Sequence, residues 1–250
     1  MELNGIHHIT AITGDAQRNV DFYVGVMGLR LVKKSVNQDD PTVYHLFFGD
    51  EHAKPGLDLT FFEYPGAAPG RAGQGMVHRV VWRVGSTDAL DFWSQRLVGD
   101  LGDQQLMLEH GLGFERSGEA WEARGDERGG LYFYDEPPAE RGIQGAGTVH
   151  HIAWNSADED HVAWAQRAAE HGAHPTQVID RHYFKSIYFR EPSGVLFELA
   201  TPSPGFTVDE PLETLGEKLS IPPRLEELRP QIEATVRPLE NPRVAQRTSA

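Results

Sequence analysis

Residues Gly147–Trp154 read GTVHHIAW and echo an earlier stretch, Gly5–Thr10, which reads GIHHIT. A third stretch, Gly75–Trp82, reads GMVHRVVW and carries the same pattern with a single histidine. Each stretch opens on a glycine and continues with the alternating, β-branched residues that are typical of a strand. Three such openings at similar intervals indicate an internal repeat, and this repeat determines the fold.

Each opening is followed by the same order of predicted elements. An amphipathic helical stretch comes first, and three short strand-like runs separated by turn residues follow it. These runs are Leu29–Ser35, Val43–Phe48 and Leu57–Phe62; Phe114–Ser117, Ala120–Arg124 and Leu131–Tyr134; and Gln177–Asp180, Ser186–Arg190 and Val195–Ala200. The sequence therefore predicts an α+β fold of three βαβββ modules, which pair into a cupped, barrel-like mixed sheet with the helices outside.

Joints rich in glycine and proline separate the modules. We expect the first module over residues 1–64, an irregular middle module over 76–137, the third module over 146–201, and a C-terminal tail with short helices over 202–250.

Composition excludes several classes of function. The 250 residues carry a net charge of −14, which argues against a nucleic-acid or anionic-membrane partner. The absence of cysteine excludes disulfides and thiolate metal sites, so any metal must be bound by His, Asp or Glu. No basic, apolar leader or membrane-length apolar run is visible, which predicts a cytoplasmic protein.

Alternation along a strand separates the two histidines of each doublet, because neighbouring side chains point to opposite faces. The first histidines, His7 and His150, share a face with mostly apolar residues and are predicted to face a helix. The second histidines, His8 and His151, fall on the polar face and are the better metal ligands. The equivalent residue of the middle unit is Arg79, which cannot bind a metal.

The last strand of unit three, Gly194–Ala200, holds a single carboxylate, Glu198, in an apolar run. Burying this carboxylate is costly unless it is paired or bound to a metal. The equivalent positions of the other units carry Thr60 and Tyr134, which are poor ligands. The candidate ligands are therefore the second histidine of each doublet and Glu198, a set that suits non-haem Fe(II).

Purely structural interpretations of these residues stay open at this point. An isolated histidine pair is more often a core or surface pair than a metal site. Tyr188 fits a core tyrosine with a satisfied hydroxyl, and Arg181 fits a surface charge. Six other histidines are predicted to be surface or packing residues: His45, His52, His110, His161, His171 and His174.

These residues resemble the vicinal oxygen chelate (glyoxalase/extradiol dioxygenase) superfamily, and within it the ring-cleaving dioxygenases that act on hydroquinones. The matching stretches are Gly5–Thr10, Tyr44–Asp50, His150–Ala153, Arg181–Glu198 and Pro204–Glu210. The resemblance implies an extradiol-type dioxygenase that takes O2 and a small hydroquinone- or catechol-like diol. It implies Fe(II) bound by His8, His151 and Glu198, with Mn(II) as the alternative and Zn or Ni as occupants in a purified sample. The surrounding candidate catalytic residues are His7, Thr10, His150, Arg181 and Tyr188.

The number of modules departs from this family, whose members usually have four modules and pair the middle two. Here the middle unit resembles the opening of the family's second module, Val77–Leu97, joined to the end of the third, Leu112–Tyr134. The middle module then lacks a partner within the chain, which predicts a homodimer formed through it.

Two other functions are weighed. A glyoxalase-like isomerase or lyase usually needs four protein ligands, and Thr60 at the fourth position counts against it. A non-catalytic small-molecule binding protein on the same scaffold often lacks the metal ligands that are present here.

Overall fold

The computed structural model describes residues 1, 3–56, 58–82, 84–101, 120–124, 129–133 and 138–244. Its centre is an eight-stranded mixed sheet built from the first and third predicted units. The first unit supplies β1 (Leu3–Thr13), α1 (Ala16–Val20) with a π-helical extension (Asp21–Val26), β2 (Arg30–Val36), β3 (Tyr44–Gly49) and β4 (Asp58–Glu63). The middle supplies α2 (Thr87–Leu101), β5 (Ala120–Arg124) and β6 (Gly129–Phe133). The third supplies β7 (Val149–Ser156), α3 (His161–Glu170), β8 (Ile179–Asp180), β9 (Lys185–Arg190) and β10 (Leu196–Ala200).

The strand order shows that units one and three are built alike. It runs β2-β3-β4-β1-β7-β10-β9-β8, so the opening strands of the two units lie side by side at the centre. Within each unit the opening strand pairs in parallel with the last strand, and β1 and β7 pair antiparallel. The predicted α+β fold with a mixed sheet is thus confirmed, and the two units join edge to edge through their openings.

The apolar face of each opening strand packs as the alternation predicts. Ala11 of β1 belongs to a core with Val20 of α1 and Phe48 of β3. Ile152 and Trp154 of β7 belong to a second core that Trp164 of α3 covers. Burial of these side chains stabilises each unit by about 1.5–3 kcal/mol per large residue. With the apolar face packed in this way, the polar residues of the opening strands lie on the opposite face of the sheet.

The middle unit differs from its prediction in one respect. Its helix forms, and β5 and β6 pair as a separate hairpin. β5 has the bounds of the predicted run Ala120–Arg124, and β6 overlaps the predicted run Leu131–Tyr134. The predicted opening strand at Gly75–Trp82 is wrong, because these residues join no ladder among the described strands. An alternating sequence becomes a strand only where another strand supplies its hydrogen bonds. The run Phe114–Ser117 and residue Tyr134 lie outside the described residues, and the count of three modules stays a prediction.

The two joints that flank the middle unit run beside each other. Arg71 and Ile143 exchange both backbone hydrogen bonds at 2.8 Å. The joints approach so closely that a Cβ on Gly73 would lie 2.3 Å from the backbone nitrogen of Gly142. A side chain at Gly73 would collide with the neighbouring joint, so glycine is required at this position. The chain therefore enters and leaves the middle unit through two joints that lie side by side.

The tail packs against unit one. It contains 3-10 turns at Phe206–Val208, Leu212–Thr214 and Pro223–Leu228, followed by α4 (Arg229–Thr235). The predicted short helices are therefore mostly 3-10 turns. Ile221 and Ile232 complete the core of unit one. Within the described residues, every helix is too short or too polar to cross a bilayer.

Candidate metal centre

The three predicted ligands meet at the centre of the sheet. His8 lies on β1, His151 on β7 and Glu198 on β10, three adjacent strands whose register brings these side chains to one face. All three are buried, with 1%, 3% and 0% of their surface exposed. Residues that are far apart in the sequence thus come together because β1, β7 and β10 are neighbours in the sheet.

The spacing of the ligand atoms fits a bound metal ion. Nε2 of His8 lies 3.3 Å from Nε2 of His151 and 3.4 Å from Oε2 of Glu198. Nε2 of His151 lies 2.9 Å from the same carboxylate oxygen. Ligand atoms about 2.1 Å from one metal and at right angles to each other would be about 3.0 Å apart. Oε2 also has no hydrogen-bond partner among the described residues, whereas Oε1 accepts from the Ser186 hydroxyl at 2.5 Å.

Electrostatics keep Glu198 and His151 in the forms that a metal needs. Burial would raise the pKa of Glu198, but the imidazoles of His8 and His151 outweigh it and hold that pKa well below its usual range. Burial lowers the pKa of His151, against the raising effect of the carboxylate. An ionised carboxylate beside neutral imidazole is the protonation state that binds a divalent cation.

The first histidine of each doublet does not face a helix, so that prediction is wrong. Nδ1 of His7 lies 2.9 Å from Nδ1 of His8, and Nδ1 of His150 lies 2.8 Å from Nδ1 of His151. The β1–β7 ladder changes register next to both doublets, between Ile6 and His8 and again between Thr10 and Ala11. Such bulges break the alternation of side chains and bring consecutive residues to the same side.

This arrangement selects the tautomer of His8. Burial lowers the pKa of His7 to about 3, so its ring is neutral. Nε2 of His7 lies 3.1 Å from the carbonyl oxygen of Thr201, which can only accept, so Nε2 carries the proton. Nδ1 of His7 must then accept from Nδ1 of His8, which leaves Nε2 of His8 as a lone pair facing the other ligands. Nδ1 of His150 lies equally close to Nδ1 of His151, and burial lowers the pKa of His150 to about 4.

Thr60 occupies the position that Glu198 occupies in the other unit. Thr60 pairs with Thr10 across β4 and β1, as Glu198 pairs with Ala153 across β10 and β7. The hydroxyls of Thr10 and Thr60 are 2.8 Å apart, and Thr10 Oγ1 lies 2.9 Å from His151 Nε2. The fourth position thus holds a hydroxyl rather than a metal ligand.

Arg181 and Tyr188 line the cavity that opens above the ligands. The guanidinium of Arg181 forms two 2.9 Å hydrogen bonds with Asp39 and lies 5.4 Å from the centre of the Tyr188 ring. Burial, reinforced by the charge of Glu198, raises the pKa of Tyr188, so its hydroxyl keeps its proton at neutral pH. Arg181 is therefore more than a surface charge and Tyr188 more than a core tyrosine, since both side chains border the cavity.

The β2–β3 loop holds Arg181 from two sides. Asp39 binds the guanidinium, while Gln38 Nε2 donates to the Arg181 carbonyl oxygen at 2.7 Å. We expect Asp39→Asn to change the free energy of unfolding by no more than about 1 kcal/mol, since its carboxylate is largely exposed. The substrate KM should nevertheless rise by about 10-fold, because a bidentate charged contact no longer fixes the guanidinium. Denaturant unfolding and steady-state kinetics measure the two effects, with Asp40→Asn in the same loop as the control.

Sequence reasoning missed His45, which it assigned to the surface or to packing. His45 lies on β3 and lines the cavity, with Nε2 3.0 Å from the Thr60 hydroxyl. Its ring centre is 4.0 Å from that of Phe47 and 4.3 Å from that of Phe62. The alternation of Tyr44, Leu46 and Phe48 with His45 and Phe47 was the signal in the sequence that could have identified it. Among the other five histidines, His161 packs as predicted, with Nδ1 2.7 Å from the Ser156 hydroxyl, while His110 lies outside the described residues.

Comparison with known proteins places these residues in a recognised family. The model of the Glyoxalase/Bleomycin resistance protein/Dioxygenase superfamily matches residues 5–101 and 109–199. "Putative ring-cleaving dioxygenase MhqA" of Bacillus subtilis is 37% identical, covering 96% of this chain and 100% of that protein. "Chlorohydroquinone/hydroquinone 1,2-dioxygenase" of Sphingobium indicum is 31% identical over 94% of this chain and 96% of its own. A crystal structure of a "putative dioxygenase" from Bacillus subtilis matches with a TM-score of 0.83 and 38% identity, covering 96% of this chain and 98% of that one.

Proposed function

The chain belongs to the glyoxalase/bleomycin resistance protein/dioxygenase superfamily, and from this premise we propose that it is an Fe(II)-dependent ring-cleaving dioxygenase acting on hydroquinone- or catechol-like diols. One observation carries the proposal. Three buried lone-pair donors, from His8, His151 and Glu198, converge at the spacing of metal ligands below a cavity. A set of two histidines and one carboxylate leaves coordination positions free, as an iron oxygenase requires.

Iron bound by these ligands would supply the electron transfer between the aromatic ring and O2. The chain's own residues orient the diol. Phe47, Phe62 and Phe184 give the cavity aromatic walls against which a flat ring can pack. Arg181 and Tyr188 offer hydrogen-bond donors to a substrate oxygen and stabilise negative charge as it develops there. Cleavage falls between a hydroxyl-bearing carbon and its unsubstituted neighbour, which is the extradiol type.

His7 and His150 have positioning roles in this proposal. In each pair, Nδ1 of the positioning histidine lies within hydrogen-bond distance of Nδ1 of the candidate ligand, the ring nitrogen that would not bind the metal. When they accept from it, they fix the orientation of the imidazoles and increase the basicity of the ligand nitrogens. Thr10 places a hydroxyl 2.9 Å from Nε2 of His151.

The isomerase alternative is weaker, because Thr60 and Thr10 bond to each other at the fourth position. The binding-protein alternative leaves the buried ligands without a purpose. Mn(II) is the alternative native metal, and the cytoplasmic location stays a prediction from the sequence.

The test uses protein purified without oxygen and reloaded with Fe(II), Mn(II) or Zn(II). We expect O2 uptake with hydroquinone or catechol and a product with the mass of the diol plus two oxygen atoms. We expect none with 1,4-dimethoxybenzene, which has the same ring without free hydroxyls, and none after iron is removed by a chelator. No O2 uptake at full iron occupancy across a panel of hydroquinones and catechols would contradict the proposal.

We also propose that the chain forms a homodimer through its middle unit. The alignment with the Bacillus subtilis relative extends over 316 positions, more than the 250 residues of this chain, which supports the loss of one module. Val81 and Phe92 of the middle unit are 51% and 54% exposed. Sedimentation should give the mass of two chains, and Phe92→Lys should shift it toward one chain without loss of metal. A monomeric wild type at micromolar concentration would contradict the dimer.

A further inference from the structure

A continuous line of close polar contacts leads from the candidate metal centre to a cavity residue on another strand. Thr10 Oγ1 lies 2.9 Å from His151 Nε2 and 2.8 Å from Thr60 Oγ1, and Thr60 Oγ1 lies 3.0 Å from His45 Nε2. The two threonines are completely buried. The line therefore passes from β1 to β4 without contact with bulk water and reaches the cavity at His45 on β3.

The orientation of His45 is fixed by its neighbours. The rings of Phe47 and Phe62 lie against it, at centre distances of 4.0 and 4.3 Å. Its Nε2 points to Thr60, while Nδ1 has no hydrogen-bond partner among the described residues and the side chain borders the cavity. If His45 served only for packing, there would be no need for one ring nitrogen to contact a buried hydroxyl while the other has no protein partner among the described residues.

We propose that Thr10, Thr60 and His45 form a proton relay that takes a proton from the substrate diol at the metal centre and delivers it to the cavity side of His45. This inference rests on the proposed function, since it names the route by which the diol loses its hydroxyl proton.

The transfer is balanced without any further reactant. The diol hydroxyl passes its proton to Thr10 Oγ1, whose own proton moves to Thr60 Oγ1, and the Thr60 proton moves to His45 Nε2. His45 releases the proton of its Nδ1 to water in the cavity. Each threonine ends with one hydroxyl proton, and His45 ends neutral in its other tautomer. No oxidation or reduction takes place: the negative charge stays on the substrate phenolate, and the proton is taken up by water in the cavity.

The route requires one direction of these hydrogen bonds, which the observed distances allow. When Thr10 donates to Thr60 and Thr60 donates to His45, Thr10 Oγ1 turns a lone pair toward Nε2 of His151. Two lone pairs 2.9 Å apart repel each other unless a cation or a substrate hydroxyl lies beside them. The same orientation that prepares the relay thus prepares the site for its metal and its diol.

Anaerobic mixing of the iron-loaded protein with hydroquinone tests the relay without turnover. The ultraviolet absorbance of the phenolate reports loss of the proton. Thr60→Val keeps the size of the side chain, and His45→Phe keeps an aromatic ring between Phe47 and Phe62. We expect each variant to slow phenolate formation by about 100-fold, the usual contribution of a proton-transfer group. Thr60→Ser restores the hydroxyl and should restore the rate. Thr13→Val, at a buried threonine of β1 outside the line, should behave as the wild type, and all four variants should retain their metal.

Nitrogen NMR of histidine in the zinc-loaded protein supplies a second readout that does not depend on activity. We expect His45 to carry its proton on Nδ1 in the wild type and in Thr60→Ser. A proton on Nε2, a wild-type rate in Thr60→Val, or no recovery in Thr60→Ser would overturn the relay. If the wild type itself forms no phenolate and consumes no O2, the proposed function fails and the relay fails with it. That result is distinct because it appears before any variant is made.

Discussion

Replacement of Glu198 by glutamine is expected to reduce metal affinity by more than 100-fold and to abolish O2 uptake. Loss of a residue that only supports a ligand usually costs about 10- to 100-fold in affinity, and Glu198 is a ligand itself in this proposal. The amide keeps the size of the side chain and a carbonyl oxygen for the Ser186 hydroxyl. It removes the negative charge that faces the two imidazoles. Metal analysis after dialysis and an oxygen electrode measure the two losses.

The same variant reports on the ionised carboxylate when no metal is present. Glu198 is completely buried, and the two imidazoles hold its pKa well below the usual range although burial raises it. A pKa that is lower in the folded than in the unfolded protein means that the ionised carboxylate stabilises the fold at neutral pH, and a neutral amide loses this contribution. We therefore expect the Tm of metal-free Glu198→Gln at pH 7 to lie below that of metal-free wild type, with a difference that shrinks as the pH falls below about 4. Retained iron would show that Glu198 is a structural carboxylate.

Glu191→Gln is the matched control for this experiment. Glu191 is a buried carboxylate of the β9–β10 turn, and its Oε1 accepts a 2.9 Å hydrogen bond from the backbone nitrogen of Val195. It lies on the same hairpin as Glu198 and outside the ligand cluster. We expect Glu191→Gln to lose stability and to keep its metal, whereas Glu198→Gln loses the metal.

The candidate ligand cluster was predictable from the sequence because it depends on a repeat. His8 and His151 occupy the same position of two equivalent strands, and such a repeat is visible in the sequence itself. Thr60 was matched to Glu198 by counting from the glycine of the last strand, and the ladder register agrees. The centre of the sheet therefore follows from strand pattern alone.

What the sequence did not predict depends on contacts between distant residues. The bulges that turn His7 and His150 toward the ligands arise where β1 and β7 pair, and neither strand signals them by itself. His45 joins the site only because β3 pairs with β4 and brings its ring close to Thr60. The strand predicted at Gly75–Trp82 does not form, although its sequence alternates as a strand should, because no described strand pairs with it.

Lys33 gives the clearest case of such a distant contact. This β2 lysine is completely buried, and its ammonium lies 2.7 Å from Asp209 and also binds Glu210, both in the tail. Asp209 accepts a 2.9 Å hydrogen bond from the hydroxyl of Tyr183, which lines the cavity. The buried ion pair thus connects the tail, the sheet and one wall of the site.

Lys33→Met should lower the free energy of unfolding by about 3–5 kcal/mol, the usual cost of leaving one partner of a buried ion pair behind. The Glu210 carboxylate is 2% exposed and would retain only the Ser220 hydroxyl, at 2.7 Å, as a partner on Oε2. Denaturant unfolding of the metal-free protein measures the loss. Arg71→Met, at an ion pair with Glu140 whose side chains are 56% and 74% exposed, is the control and should cost no more than about 1 kcal/mol.

The functional consequence separates this network from the metal centre. Lys33 touches none of the three candidate ligands, so the variant should bind metal with wild-type stoichiometry wherever it is folded. Its KM for the diol should rise, because Asp209 no longer holds Tyr183 against a fixed ammonium and the cavity wall beside Phe184 loosens. A cost below 1 kcal/mol, or loss of metal from the folded variant, would contradict this division. The candidate ligands at the sheet centre and the ion-pair network between Lys33 and the tail can therefore be changed one at a time.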